Sequence, residues 1–140
     1  MAIRMTTALR NARAQAIIDT VDAGGDTITT EAVLLIYGGT RPSTGGSAAG
    51  NTLLGTLVMS QPCGTISSGV LTLQPVTSDT SADADGTITW ARIADSDGVA
   101  VMDFSCGLTG SSADITFNAV DVLTGGTISL VSGTITEGNA

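Results

Sequence analysis

The sequence predicts a mainly β protein: an antiparallel β-sandwich or jelly-roll-like fold with one N-terminal α-helix. Short segments of alternating apolar and polar residues recur along the chain, with turn residues between them about every 8–12 positions. Thr, Ser and Gly, which favour strands and turns, are abundant, and Gly alone supplies 18 of the 140 residues. Residues 7–23 differ, because they contain neither Gly nor Pro and are rich in Ala.

The N-terminal segment is predicted to form an amphipathic helix. Thr6 or Thr7 can cap its start, and Gly24–Gly25 can end it. Its proposed apolar face follows i, i+3, i+4 spacing and consists of Leu9, Ala12, Ala16, Ile17 and Val21. We expect one globular domain, in which residues 1–25 form a helical segment packed on a sandwich of residues 26–140.

Strands and turns are predicted after Gly25. The piece EAVLLIYGG does not alternate, so we expect both of its faces to be covered, one by a second sheet and the other by the helix. Further strands are predicted in TLLGTLVMS, GVLTLQPV, GTITWARIA, VAVMDFSCG, ADITFNAV and GTISLVSGTIT. The residues expected to share core faces are Leu71 with Leu73, Ile88 with Trp90, Met102 with Phe104 and Cys106, Ile115 with Phe117, and Ile128 with Leu130.

The composition excludes several classes of function. The net charge is −8, from 5 basic residues, all Arg, and 13 acidic ones, so the surface repels nucleic acid. The chain has no His and no Lys, which removes Ser-His-Asp, Cys-His and Ser-Lys catalysis. No P-loop is present. We therefore expect no enzyme, no catalytic residue, no cofactor and no small-molecule substrate.

No membrane association or export is expected either. No stretch approaches the roughly 20 apolar residues that span a bilayer. The N-terminal stretch MTTALRNARAQAI lacks the continuous apolar core of a signal peptide. In a reducing compartment Cys63 and Cys106 are expected to be free thiols, with a disulfide as the alternative, and two thiols alone do not form a zinc site.

Two acidic turns, Asp83–Gly86 and Asp95–Gly98, resemble the start of a calcium loop. An EF-hand requires an acid at position 12, but the two registers place Arg92 and Phe104 there. Asp-Gly between alternating strands instead predicts a hairpin, because Gly supplies the positive φ. We therefore predict a hairpin with DSDG at its tip and no metal site; a weak cation held between subunits is the alternative.

Two regions are candidates for binding a partner. Arg4, Arg10 and Arg13 lie near the N-terminus with no acid before Asp19. They are interpreted either as a solvated helix face or as a docking element for an acidic partner. The loop Thr40–Asn51, TRPSTGGSAAGN, is the longest stretch without predicted structure, and loops of this kind often carry contacts. Arg41 and Pro42 are its candidate contact residues.

Three stretches together resemble a known family: IYGGTRPSTGG, GTITWARIADSDGVAVMDFS and GSSADITFN followed by GGTISLVSGTITEG. The family comprises small tailed-phage and prophage proteins, which have an N-terminal helix and the motifs YxGTRP, GxxTWxRxxDSDG and SGTIT. The resemblance covers nearly the whole chain and is most specific over residues 31–136. It implies a β-sandwich virion component present in many copies, and it implies no catalytic role for Trp90, Arg92 or the DSDG turn.

These observations together lead to a functional expectation. The chain is predicted to be a phage capsid decoration, or cement, protein that binds the major capsid protein on the outer head surface. It would associate with copies of itself, as a homotrimer, and be located in the virion after assembly in the host cytoplasm. The alternatives are a tail, baseplate or head–tail joining component, and a carbohydrate- or surface-binding β-sandwich module. The last requires exposed aromatic residues, and only 3% of the chain is aromatic.

Overall fold

A computed structural model describes residues 3–23 and 31–138 of the chain. Within these ranges a single helix precedes ten strands. Their bounds are α1 (Thr7–Asp22), β1 (Val33–Gly38), β2 (Thr52–Val58), β3 (Gly64–Ser67), β4 (Val70–Leu73), β5 (Gly86–Thr87), β6 (Trp90–Ala94), β7 (Ala100–Leu108), β8 (Ile115–Phe117), β9 (Asp121–Val122) and β10 (Leu130–Thr136). The short strands β3 and β9 were not predicted, and the segment GTITWARIA divides into β5 and β6.

Eight of these strands form one curled sheet in the order β2-β1-β6-β7-β8-β10-β4-β3. Every neighbouring pair is antiparallel except β7 and β8, which are parallel. The strands β5 and β9 form a separate two-stranded sheet. The predicted fold class, mainly β and sandwich-like with an N-terminal helix, is confirmed.

A single hydrophobic core lies inside the curl, because alternate residues of each strand point to the same side. Leu34 on β1 lies opposite Ile93 on β6, and both are fully buried. Leu71, Leu73, Ile88, Phe104, Ile115, Phe117 and Ile128 are buried in this core, as expected. Trp90 is also buried, but the prediction that it shares a core face with Ile88 is wrong, because Trp90 lies beside Tyr37 on the outer face of the sheet. Met102, Cys106 and Leu130 are only half-buried. The two ends of the sheet therefore contribute to the same interior.

The helix begins as predicted. Thr6 is the N-cap, and its hydroxyl accepts a hydrogen bond from the backbone N–H of Leu9 at 3.2 Å. It ends at Asp22, with Ala23 as the C-cap. The predicted stop at Gly24–Gly25 lies outside the described residues.

The predicted apolar face of α1 is wrong. Its buried residues are Ala14, Ile18 and Val21, whereas Leu9 is 49% exposed. Of the predicted face only Val21 is buried; Ala12 and Ala16 are exposed and Ile17 is half-buried. Alanines occur all round this helix, so the spacing pattern fits more than one face, and the tertiary contacts select among them.

The helix also does not cover β1 in the way expected from the sequence. It packs chiefly against β3 and β4, at the opposite end of the sheet. On β1 the burial alternates: Leu34 and Ile36 point into the core, while Val33, Leu35 and Tyr37 on the outer face are half-buried. On this outer face the ring of Trp90 stacks on Tyr37, and the loop 40–51 is hydrogen-bonded to Trp90 and Arg92.

Candidate partner-binding surface

The loop 40–51 contains no helix or strand, as predicted, but it is fastened to the outer face of the sheet. The Nη2 group of Arg92 donates to the carbonyl oxygen of Gly46 at 2.6 Å. Asn51 Oδ1 accepts from the backbone N–H of Thr40 at 2.7 Å and from Trp90 Nε1 at 3.4 Å. These bonds fix the loop at its middle and at its two ends, so its tip presents a defined surface.

A buried ion pair supports this attachment. Arg92 on β6 lies opposite Asp103 on β7, with Nε to Oδ1 at 2.6 Å and Nη2 to Oδ2 at 2.8 Å. The two side chains are 9% and 8% exposed, respectively. The hydrogen bonds that Arg92 donates to the Asp103 carboxylate raise the pKa of Arg92, so the guanidinium remains charged. This bidentate pair is the strong form of an Arg–carboxylate contact.

Aromatic stacking completes the cluster. The Arg92 guanidinium lies 5.3 Å from the ring centroid of Trp90, within the range of a cation–π contact. On β1, Tyr37 stacks on Trp90 with ring centroids 4.4 Å apart and an interplanar angle of 12°. We call Tyr37, Trp90, Arg92 and Asp103 the loop anchor. Sequence reasoning missed this anchor, although one signal was available: a lone Arg in the strand TWARIA and a lone Asp in the following strand VAVMDFS.

Arg41 and Pro42 lie at the start of the fastened loop. Arg41 is 45% exposed in its side chain, and its Nη1 is 3.9 Å from Asp114 Oδ2. Pro42 is half-buried. Both line a groove of about 390 Å³ between the loop and residues 101–103 of β7. The predicted contact residues of the loop thus lie beside β7.

Two of the N-terminal arginines, Arg10 and Arg13, lie at the C-terminal end of β10. Arg10 Nε donates to the carbonyl oxygen of Glu137 at 2.7 Å, and Arg13 Nε is 3.0 Å from Glu137 Oε2. Arg4 is exposed. Two of these three candidate contact residues, Arg10 and Arg13, are therefore engaged within the chain, where Glu137 offsets the repulsion between cations and the positive end of the helix. The predicted contact residues thus divide between this site and the loop beside β7.

In both acidic turns a carboxylate accepts hydrogen bonds from backbone N–H groups. Asp95 Oδ1 accepts from the N–H groups of Asp97 at 3.0 Å and Val99 at 2.9 Å, and Gly98 has a φ of 80°. This confirms the predicted hairpin between β6 and β7. In the other turn, the backbone N–H and hydroxyl of Thr124 bind Asp85 and lower the pKa of its carboxyl. Within residues 3–23 and 31–138 no group of three or more Asp, Glu, Cys or His is placed to hold a metal ion.

Both cysteines are free thiols. Burial raises the pKa of Cys63 from 9.0 to about 12, with a further contribution from the Asp22 carboxylate. Asp22 also accepts the Cys63 N–H at 3.2 Å and so connects the end of α1 to the start of β3. Burial likewise raises the pKa of Cys106 to about 12. At neutral pH neither thiol is a ready nucleophile.

Comparison of the chain with protein-family models, curated proteins and solved structures finds no match. Among the described residues, α1 is too short and too polar to cross a membrane.

Proposed function

We infer that this chain is a structural component of a tailed-phage virion, and specifically a decoration protein of the head. The proposal rests on the family resemblance in residues 31–136 together with one feature of the site. The charged side chains that could have performed chemistry are instead engaged in holding the backbone: Asp22, Asp79, Asp85, Asp95 and Asp114 each accept backbone N–H groups, and Arg92 is paired with Asp103.

Such an arrangement suits a protein that acts through its surface. A decoration protein works by bridging neighbouring capsid subunits, and many modest contacts repeated over a lattice give a strong total attachment. The fastened loop 40–51 offers a contact surface that loses little conformational entropy on binding. We assign the contact with the major capsid protein to Arg41 and Pro42, and the contacts between copies of the chain, expected as a trimer, to other parts of the surface, Arg4 among them.

The sugar-binding alternative finds little support in the aromatic residues. The chain has one Trp, one Tyr and two Phe. Trp90, Phe104 and Phe117 are at most 3% exposed, and Tyr37 is stacked on Trp90. No ring is free to form the flat exposed platform on which a sugar stacks.

The experiment that tests the proposal is quantification and localisation of the chain in purified particles. Mass spectrometry of virions should give copy numbers comparable with those of the major capsid protein, and electron microscopy should place the chain on the outer head surface. A handful of copies per particle would contradict decoration. Rings of about six or twelve subunits at the neck would instead support the head–tail joining alternative.

A further inference from the structure

The strand that lies between β7 and β10 in the eight-stranded sheet is shorter than either of its neighbours. The strand β8 lies between them, but it pairs with β7 only from Cys106 onward and with β10 only up to Gly133. Ile115 is the first residue of β8. Residues 101–104 of β7 and 134–136 of β10 thus face each other with no strand between them. We call this gap the β7/β10 slot.

The slot has the width of one strand. Because β8 separates β7 from β10 by two inter-strand spacings, the gap beside it is roughly 9–10 Å wide. It is lined by Met102, Asp103, Phe104, Asp114, Thr134, Ile135 and Thr136, and its volume is about 170 Å³. Small-molecule pockets usually measure about 300–1,000 Å³, so this space fits an extended main chain better than a compact ligand.

Both walls of the slot present unpaired backbone groups. Cys106 donates its N–H toward Thr89 on the β6 side, while Ser105 donates to Asp114 Oδ2 on the opposite side. By alternation, the N–H and C=O of Asp103 also point into the slot. On β10, Thr134 donates to Asp114 and Glu137 donates to Gly69 on the β4 side, so Thr136 faces the slot. Within the described chain no backbone partner reaches Asp103 or Thr136 on this side.

The side chains around the slot specify the occupant. Toward the core its floor is apolar, formed by Phe104, Ile135 and the half-buried Met102. Toward the outside lies the carboxylate of Asp114, whose side chain is 51% exposed, whereas the carboxylate of Asp103 is already paired with Arg92. An extended segment that places an aliphatic residue inward and a cationic residue outward at the next position therefore matches both sides.

The chain itself contains such a segment. Ile3 and Arg4 are adjacent, lie outside α1, and are exposed; Ile3 is 83% exposed, a high value for an aliphatic side chain. In an extended segment their side chains point to opposite faces. We propose that residues 3–5 of a second copy of this chain enter the β7/β10 slot as an added strand, with Ile3 on the apolar floor and Arg4 toward Asp114.

A second copy is the occupant because each molecule carries both the slot and the exposed side chains of Ile3 and Arg4. The helix that follows the segment is held at Glu137, next to the slot residue Thr136, and the molecule's own Ile3 remains in solvent. Exchange of segments between copies closes into a symmetric oligomer and pairs the free backbone groups of every slot. This inference does not rest on the virion role, since it concerns the purified chain alone.

Sedimentation velocity over a concentration series tests the proposal, with Ile3→Asp as the probe variant. Leu123→Asp is the matched control, because Leu123 is a similarly exposed aliphatic residue, 73% exposed, outside the slot. We expect the wild type to self-associate, Ile3→Asp to weaken this association about ten- to hundredfold, and Leu123→Asp to leave it unchanged. A wild type that remains monomeric up to about 1 mM, or equal effects of the two variants, would overturn the proposal.

Cross-linking between two differently labelled copies identifies the slot itself. A copy carrying Arg4→Cys is mixed under oxidising conditions with a copy carrying Thr136→Cys on the slot wall, or with one carrying Thr72→Cys. Thr72 also faces outward, but it lies on β4, one strand further from the slot. We expect the mixed disulfide to form preferentially with Thr136→Cys, since paired strands bring Cα atoms within bonding range of a disulfide. Equal or greater cross-linking to Thr72→Cys would overturn the slot assignment.

Discussion

Arg92 is buried and serves three structural purposes at once. It pairs with Asp103, lies over the ring of Trp90, and holds the loop 40–51 through the Gly46 carbonyl. Removing one partner of a buried ion pair is costly, because the other charge stays behind without compensation. The loop anchor should therefore be sensitive to single substitutions and tolerant of a double one.

We accordingly expect Arg92→Met to lower the free energy of unfolding by about 3–5 kcal/mol, measured by urea denaturation. Replacing both partners, Arg92→Met with Asp103→Leu, should recover most of that loss, because no unpaired charge remains. The control is Arg13→Met, which breaks an ion pair whose arginine is 54% exposed and should cost about 0–1 kcal/mol. A double variant as unstable as the single one would contradict this account.

The two thiols give the protein an alkaline sensitivity. Burial raises the pKa of Cys63 and of Cys106 from 9.0 to about 12, so the folded state holds these protons more tightly than the unfolded state. The resulting stabilisation is fully present below pH 9 and is lost as the pH rises from 9 toward 12.

Unfolding free energies measured from about pH 8 to 11 should therefore fall with increasing pH. The variant with Cys63→Ala and Cys106→Ala should show a shallower fall, whatever its absolute stability, since the thiols no longer contribute. Identical slopes for the two proteins would show that the thiols are not protected from ionisation in the folded state.

At the scale of single elements, α1 is held by one narrow face. Ala14, Ile18 and Val21 contact the core near β3 and β4, and Glu137 holds the other end of the helix through Arg10 and Arg13. The sequence pattern favoured a different face. Substitutions can separate the two assignments, because only buried side chains contribute substantially to stability.

Ile18→Ala should lower the free energy of unfolding by about 2–4 kcal/mol, as expected for truncation of a buried aliphatic side chain. Leu9→Ala, on the face predicted from the sequence, should change it by less than about 0.5 kcal/mol. Thermal or chemical denaturation of the two variants checks this. A larger effect at Leu9 than at Ile18 would restore the face that the sequence pattern favoured.

The β6–β7 hairpin tests whether the acidic turn is structural. Asp95→Ala removes the acceptor of two backbone N–H groups and should cost about 1–2 kcal/mol. Asp97→Ala, two residues away, should be nearly neutral, because the Asp97 carboxylate accepts neither of these bonds. Millimolar Ca²⁺ should not change the stability of either variant or of the wild type; a calcium-dependent gain that Asp97→Ala abolishes would show that the turn is a metal site.

The whole molecule should unfold as one unit, since α1 and both ends of the curled sheet share a single core. Fluorescence of the only tryptophan, Trp90, reports on the β1–β6 end of the sheet. Labelling of the buried Cys63 reports on the end covered by α1. We expect the two signals to give coincident urea transitions. Separate midpoints would instead show that residues 1–25 and the strands near them unfold independently of the rest.

Much of this architecture was predictable from local patterns. Alternation identified most strands and many of their buried residues, such as Ile115 with Phe117. Successive side chains of a strand point to opposite faces, so a half-buried strand shows alternating apolar and polar residues in its sequence. The DSDG hairpin and the Thr6 cap followed from local backbone requirements in the same way. Strand order was not predictable, because neighbours such as β1 and β6 are joined by long chain segments and pair only through tertiary structure.

The order of amino acids is enough to specify a β-rich core with one helix, because residue periodicity and turn chemistry act over a few neighbouring positions. It is also enough to show that the chain lacks His and Lys, the usual catalytic bases. Three-dimensional packing was needed to select the buried helix face, to bring Arg92 to Asp103 and Gly46, and to separate β7 from β10 beside a short β8. These features depend on contacts between residues that are distant in the chain and come together only when the sheet curls. A pattern over a few neighbouring positions does not predict such contacts.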